Sequence, residues 1–232
     1  MLGNPVRLAK LAMFLAVSVP AFPAIRTSFA SPMVKIFLED PMPTPVLSTW
    51  TVSMARGERE SFQLLIQASQ EDLKSLTVEN SMHGAPRLGV KLSLVGYVKT
   101  VPGDRRPWAK QEPPTRIGWW PDPLLPMRPF DIKAGETQPV WIRIEAPVDA
   151  KPGIYSGSLQ ILQAGRRIES LTYKVHVFAV TLPKLQQLKN AAFMPAGNLF
   201  AHYKTPGGME SPEFFELYKR WATEAFSQHL GP

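Results

Sequence analysis

Alternation of apolar and polar residues with a period of two is the feature that most restricts how this 232-residue chain can fold. It recurs from Val34 to Pro183, for example where Phe62, Leu64 and Ile66 alternate with polar neighbours. Successive side chains of a β-strand point to opposite faces, so the pattern is typical of strands with one buried face. Eight segments fit it: residues 34–38, 47–54, 61–67, 76–80, 90–100, 140–145, 153–162 and 170–177.

These segments are separated by turn residues, and no long helical pattern interrupts them. Ala164-Gly165 is typical of a hairpin turn between the last two strands. We therefore expect a mainly β fold, in which residues 31–185 form an antiparallel immunoglobulin-like β-sandwich.

The last part of the chain has a different pattern. Residues 191–194 indicate one short strand, residues 195–208 a loop, and the following segment a helix with Ser211 as its N-cap and Pro212 in its first turn. Four apolar positions recur on one face of that helix: Phe214, Tyr218, Trp221 and Ala225. One strand and one helix cannot bury their own apolar faces, so residues 186–232 are interpreted as the start of a truncated α/β domain.

The N-terminus has the order of a secretory signal peptide. Arg7 and Lys10 precede an apolar run over residues 11–19, and Ser28 and Ala30 supply small residues at the −3 and −1 positions of a cleavage site. The apolar run is too short to span a bilayer. We expect residues 1–30 to be removed, and the protein to be secreted or periplasmic with no stable membrane span.

Composition restricts the chemistry further. The chain has no cysteine, which excludes disulfides and zinc–thiolate sites. Its formal charge is +7, but three of the 26 basic residues and none of the 19 acidic residues lie in the predicted signal peptide, which leaves +4 for the rest. The basic residues are scattered, so nucleic acid is not an expected partner. Histidines are dispersed and phosphate-binding or dinucleotide motifs are absent, so we expect no metal and no cofactor.

A proline-rich segment, residues 102–129, carries three tryptophans, Trp108, Trp119 and Trp120. Disordered segments contain few aromatic residues, and we therefore expect this segment to be an ordered loop. Trp119 and Trp120 either pack against another domain or stack on sugar rings. Elsewhere, Glu58 and Glu60 flank Arg59, which allows a carboxylate pair on one strand face but is more typical of a solvated face.

Five segments in order resemble one enzyme family. They read ARGERESFQ at 55–63, WWPDPLLP at 119–126, AGETQPVWI at 134–142, PVDAKPGIYSG at 147–157 and VFAVTLP at 177–183. Together they resemble the N-terminal domain of glycoside hydrolase family 123 and related glycoside-hydrolase-like proteins of unknown function. The resemblance extends over roughly residues 34–232.

The resemblance implies a β-sandwich followed by a (β/α)8 barrel that removes N-acetylgalactosamine from glycans by substrate-assisted hydrolysis. In such enzymes an adjacent Asp-Glu pair of the barrel orients the substrate's acetamido group and supplies the acid. No Asp-Glu dipeptide follows Asn190 in this chain, so no catalytic residue is assigned. The chain is thus expected to be the accessory domain of an exported glycoside hydrolase, inactive by itself, with a glycan or the missing barrel as its partner.

Strand-to-helix loops of such barrels carry active-site groups. Asn198, His202 and Tyr203 lie in the predicted loop and are candidate substrate-binding residues, together with Trp119 and Trp120. Two alternative functions stay open, a stand-alone carbohydrate-binding sandwich and an interaction domain of the cell envelope.

Overall fold

The computed structural model describes residues 25–83, 88–100, 117–183 and 195–227, and these divide into two compact units at Val180/Thr181. The first, the strand unit, contains ten strands: β1 (Ile25–Ala30), β2 (Thr49–Arg56), β3 (Arg59–Ala68), β4 (Leu73–His83), β5 (Gly89–Thr100), β6 (Gly118–Pro126), β7 (Phe130–Ile132), β8 (Thr137–Glu145), β9 (Gly153–Gln163) and β10 (Arg166–Thr181). The second, the helical unit, contains α1 (Ala196–Tyr203) and α2 (Pro212–Ser227).

The strands form two five-stranded sheets. Sheet A has the order β1-β3-β8-β5-β6 and is antiparallel throughout. Sheet B has the order β2-β10-β9-β4-β7, and its β10–β9, β9–β4 and β4–β7 pairs are antiparallel. The mainly β prediction is therefore confirmed, as are seven of the eight predicted strands.

One apolar core lies between the two sheets. Sheet A contributes Phe62, Leu64 and Ile66 from β3, and sheet B contributes Tyr173 and Val175 from β10. All five are buried, and the rings of Phe62 and Tyr173 meet at 5.2 Å between centroids. The period of two visible in the sequence thus corresponds to inward-facing positions, which supply most of the stabilisation through burial of apolar area.

The other face of β3 is also buried, because residues 31–47, here called the strap, cross it. Gln63 donates from Nε2 to the carbonyl oxygens of Ser31 and Val34 at 2.8 Å each. Tyr97 Oη donates to the carbonyl of Ile36 at 3.0 Å. A small apolar cluster forms beneath the strap from Ala30, Ile36, Met42 and Leu65.

The predicted strand over residues 34–38 is wrong, because this segment belongs to the strap and has no strand conformation. The strap contains Pro32, Pro41, Pro43 and Pro45, each of which lacks the N–H that a sheet ladder needs. The carbonyl groups of Ser31, Val34 and Ile36 accept hydrogen bonds from side chains of the sheet below, which local alternation does not reveal.

Residues 25–30, placed in the signal peptide by the sequence, form β1. This strand pairs with β3 over six residues, from Ile25↔Ala68 to Ala30↔Gln63. Phe29 is 1% exposed and contacts Phe62 at 5.6 Å between ring centroids. Removal of residues 1–30 stays a prediction, and cleavage after Ala30 would delete this strand from sheet A.

The predicted loop over residues 102–129 is wrong for residues 118–126, which form β6 and pair with β5. Prolines are tolerated there because β6 is the edge strand of sheet A among the described strands, where donors on one side need no partner. The β5–β6 register shifts between Val95 and Tyr97, around Gly96. Trp108 lies outside the described residues.

The β9–β10 hairpin turns at Ala164 and Gly165 as predicted, both with positive φ, at 48° and 79°. In the middle of β9, glycine is needed at position 157 for a different reason. Gly157 lies opposite Tyr173 in the ladder, and a Cβ atom at Gly157 would lie 2.3 Å from Cζ of that ring. The second glycine of the Pro-Gly-x-Tyr-x-Gly segment thus makes room for a core aromatic residue.

In the helical unit, α2 begins where the sequence predicts. Ser211 Oγ accepts a hydrogen bond from the backbone N–H of Phe214 at 3.2 Å, as an N-cap does. The predicted loop over residues 195–208 is wrong in part, because residues 196–203 form α1. Phe200 of α1 packs against Phe214 at 5.8 Å, and packing of this kind stabilises a helix with unfavourable Gly197 and Asn198 in its first turn.

The predicted strand over residues 191–194 lies outside the described residues. Among the helices in the described part of the chain, none is long and apolar enough to cross a membrane.

Candidate functional site

The two candidate tryptophans of the strand unit have different surroundings. Trp120 packs edge-on against Phe37 of the strap, with ring centroids 5.2 Å apart, and the Lys35 Nζ lies 4.9 Å from its ring centre. Trp119 is 48% exposed. Trp120 therefore fastens the strap to the edge of sheet A, whereas the ring of Trp119 presents an apolar surface to solvent.

The other three candidates, Asn198, His202 and Tyr203, lie on α1 of the helical unit. The rings of His202 and Tyr203 meet at 4.8 Å, and Tyr203 also contacts Trp221 of α2 at 6.4 Å. Tyr203 and Trp221 are each more than two-fifths exposed. An aromatic pair thus forms where α1 and α2 approach each other.

A cavity of about 550 Å³ opens beside this pair, within the helical unit. Its walls combine apolar, aromatic and charged groups: Tyr203, Thr205, Pro206, Glu213, Leu217, Arg220, Trp221 and Glu224. Neither Asn198 nor His202 is among these lining residues. Of the five sequence-predicted site residues, Tyr203 alone borders the cavity.

The cavity has the chemistry of a polyol site. Aromatic rings present a large apolar face on which the C–H face of a sugar can pack, and carboxylate and guanidinium groups accept and donate hydrogen bonds to hydroxyls. The helical spacing of Trp221 predicted a packing role, and its position in the wall of the cavity was not predicted. The sequence feature that could have indicated this position is an aromatic residue with Arg220 and Glu224 close to it on an amphipathic helix.

The carboxylates that line this cavity are too far apart to act as a retaining pair. Glu213 and Glu224 lie on one helix, eleven residues apart, so their Cα atoms are roughly 16 Å apart at about 1.5 Å rise per residue. A retaining pair needs carboxyl groups about 5–5.5 Å apart. Glu213 and Glu224 therefore do not form a retaining pair.

Glu58, half of the carboxylate pair allowed by the sequence, has a structural role. It follows Gly57 (φ 81°) in the β2–β3 turn, and its Oε2 accepts a hydrogen bond from the Ala55 N–H at 2.5 Å. The carboxylate thus stabilises the turn by which the chain passes from β2 in sheet B to β3 in sheet A.

A cluster of three charged residues connects neighbouring segments near the edge of sheet B. Lys74 Nζ lies 3.2 Å from Asp72 and 3.3 Å from Asp131. The Ala134 N–H, followed by Lys74, lowers the pKa of Asp72, and the Ser75 N–H is the main cause that lowers the pKa of Asp131. Hydrogen bonds to the two carboxylates raise the pKa of Lys74. All three groups are ionised at neutral pH and connect β4 to the loop around β7.

Burial raises the pKa of two tyrosines, Tyr97 and Tyr173. The Tyr97 hydroxyl donates to the Ile36 carbonyl of the strap. The Tyr173 hydroxyl donates to Asn80 Oδ1 at 2.6 Å. Both hydroxyls are protonated donors in the interior of the strand unit. Among the described residues, no three His, Asp or Glu side chains are grouped so that they could hold a metal ion.

Comparison with solved structures identifies the fold. The chain is similar to a family 123 glycoside hydrolase from Clostridium perfringens, an enzyme studied for glycolipid glycan hydrolysis, with a TM-score of 0.71 and 17% identity. The match covers 88% of this chain and 36% of the Clostridium chain, so the chain spans about a third of the length of that enzyme. At this identity the likeness concerns the fold.

Other structural matches are much weaker. A PapD-like domain of human CEP192 gives a TM-score of 0.31 at 9% identity, and covers 74% of this chain and 97% of that domain. A score so low carries no argument about function. No curated protein matches the sequence.

The family itself is shown by the sequence. The model of the glycoside hydrolase 123 N-terminal domain matches residues 34–163, more than half of the chain, from the strap to the end of β9. The fold of the Clostridium enzyme extends the likeness beyond that range. This chain therefore belongs to the glycoside hydrolase 123 N-terminal domain family.

Proposed function

We propose that this chain is the N-terminal part of an exported glycoside hydrolase that acts on N-acetylgalactosamine-containing or related glycans. In this proposal the strand unit is an accessory domain with an immunoglobulin-like sandwich fold, and residues 186–232 begin a catalytic (β/α)8 barrel. The carrying observation is the match to the Clostridium enzyme, which takes in 88% of this chain but only 36% of that enzyme.

Three further observations support the accessory role. Glu58 accepts a hydrogen bond in the β2–β3 turn, and Asp72 and Asp131 pair with Lys74 near the edge of sheet B, so these carboxylates have structural partners. The cavity carboxylates lie too far apart along α2 for a retaining pair. In this proposal the acid and the acetamido-orienting group of the reaction belong to barrel segments beyond those described.

Export is proposed on sequence grounds. Arg7 and Lys10, the apolar run over residues 11–19 and the small residues after it follow the order of a signal peptide. A secreted or periplasmic location would give the enzyme access to polymeric glycans outside the cytoplasm.

The purified chain is expected to show no turnover of an aryl N-acetyl-β-galactosaminide, because catalytic groups must be held close to productive geometry by a complete barrel. A glycoside hydrolase with demonstrated turnover of this substrate, assayed under the same conditions, serves as the positive control. Turnover by this chain that disappears in Glu213→Gln or Glu224→Gln would move the active site into the helical unit and contradict the accessory role.

A second candidate function is carbohydrate binding by the chain itself, favoured by the aromatic cavity of the helical unit. Titration with N-acetylgalactosamine is expected to give weak saturable binding that Trp221→Ala abolishes, since the ring supplies the stacking surface. Phe226→Ala is the matched control, because Phe226 is an exposed aromatic residue of α2 outside the cavity. Equal binding by both variants, or none by the parent chain, would refute this candidate.

A further inference from the structure

We propose that β2 is an interface through which two copies of this chain associate, with the two β2 strands paired antiparallel across a twofold axis. The paired strands would join the two copies of sheet B into one continuous sheet. This inference is independent of the hydrolase proposal, because it concerns an edge of the strand unit and no group that acts on a substrate.

Four strands border the two sheets among the described strands, and three of these borders are protected against pairing. The β6 border contains three prolines, and β7 is only three residues long. The β1 border is covered by the end of the strap, because the Phe29 N–H donates to the Leu47 carbonyl and the Leu47 N–H donates to Ser28 Oγ, each at 2.9 Å. The fourth border strand is β2.

The β2 strand lacks each of these protections. Its sequence from Thr49 to Ala55 contains no proline and no charged residue. Within the described part of the chain, β10 is the one strand that neighbours β2, so the opposite side of β2 faces no strand. Backbone groups along such an edge are a template for the addition of another strand.

A second copy of β2 has the chemistry that fits this edge. Opposed residues of an antiparallel pair point to the same face, so a symmetric pairing must be centred on a residue. Centring it on Val52 opposes Thr51 to Ser53, and Trp50 to Met54, of the other copy. Hydroxyl groups then meet on the exposed face and apolar groups on the inner face, and no like charges oppose each other.

Trp50 gives this pairing an apolar contribution. Its ring stacks on Phe62 at 6.2 Å between centroids, yet Trp50 is only partly buried, unlike Val52 and Met54 of the same strand face. In the symmetric pair the strand of the second copy would cover the remaining surface of the Trp50 ring. A tryptophan that becomes buried at the centre of an interface typically supplies much of the binding energy.

Exposed apolar side chains also lie at both ends of β2. Val46 and Leu47 immediately precede the strand, and both are exposed. Beyond its other end, Arg56 Nη2 donates at 3.1 Å to the β10 carbonyl that lies between Phe178 and Val180, which are exposed as well. Twofold pairing brings the first end of one strand to the last end of the other, so apolar groups meet at both ends of the ladder.

The first measurement is the mass of the purified full chain by sedimentation equilibrium over a range of concentrations. We expect a reversible equilibrium between monomer and dimer. Hydrogen exchange should show that the amides of residues 50–54 are better protected at high than at low protein concentration. A chain that stays monomeric, or a dimer whose added protection lies outside β2, would overturn the proposal.

Charged variants test which residues face each other. Thr51→Lys combined with Ser53→Lys places like charges opposite each other at two positions of the dimer, and Thr51→Glu combined with Ser53→Glu does the same with the opposite sign. Each double variant should keep the circular dichroism of the parent chain and raise the Kd for dimerisation by roughly tenfold. Mixing the two variants should restore association, because every opposed pair then carries opposite charges.

The matched control is Ile154→Lys combined with Ser156→Lys, at two exposed residues of β9 with the same spacing. Because β10 separates β9 from the β2 edge, this variant should dimerise like the parent chain. Equal weakening by the control would place the interface on the outer face of sheet B, and no recovery on mixing would refute the β2 pairing. None of these results affects the hydrolase proposal, which is tested by turnover.

Discussion

Replacing Gly157 with alanine is expected to lower the free energy of unfolding of the strand unit by about 3 kcal/mol, the upper part of the range for overpacked cores. The added Cβ would lie 2.3 Å from Cζ and 2.5 Å from Oη of Tyr173. That ring cannot move aside easily, because it is 1% exposed, packs on Phe62 and donates to Asn80. Thermal unfolding monitored by circular dichroism would measure this loss. The midpoint temperature should fall by about 10 °C for a domain of this size.

The matched control is Gly89→Ala in β5. A Cβ there meets its nearest neighbour, Glu145 Cβ, at an ordinary 3.6 Å, so the change should alter stability by less than about 1 kcal/mol. A double variant, Gly157→Ala with Tyr173→Leu, should lose less stability than the sum of the single variants, since leucine vacates the contested space. Strict additivity would show that the steric explanation is incorrect.

The second large effect is expected from loss of β1. A purified version that starts at Ser31 should be less stable than one that starts at Phe22 by about 3–5 kcal/mol, the usual cost of emptying a buried aromatic site. That loss is a large fraction of the roughly 5–15 kcal/mol that holds a typical domain together. The shorter version should therefore unfold at a lower urea concentration and aggregate at its new edge.

Two point variants of the longer version separate core packing from chain length. Phe29→Ala should reproduce much of the loss, because Phe29 belongs to the shared core. Arg26→Ala should have little effect, since Arg26 is an exposed residue of the same strand. Coincident unfolding curves for versions starting at Phe22 and Ser31 would show that β1 contributes nothing to stability.

The sequence predicted those parts of the fold that depend on near neighbours. Alternation at Phe62, Leu64 and Ile66 located β3, and Ser211 marked the first residue before α2, because strand faces and helix caps follow local rules. Ala164-Gly165 predicted its hairpin for the same reason. The family, too, could be predicted, because its motifs lie in these regular segments.

Errors arose where distant partners decide the conformation. Residues 34–38 alternate like a strand, yet Gln63 and Tyr97 hold them as a strap. Ser28 and Ala30 also lie buried in β1, and removal of residues 1–30 stays a prediction. The aromatic cavity could not be predicted, because it depends on α1, a helix whose sequence reads locally as a loop.

The prolines of β6 have a consequence for solubility. Each of Pro121, Pro123 and Pro126 lacks the backbone N–H that a sheet ladder uses, and β6 is the border of sheet A among the described strands. Proline at such a border hinders pairing with a strand from a second molecule. Pairing between the sheets of two molecules is thereby disfavoured at this border, while the apolar core of the strand unit is unaffected. The prolines of β6 thus act against intermolecular β-pairing at this border.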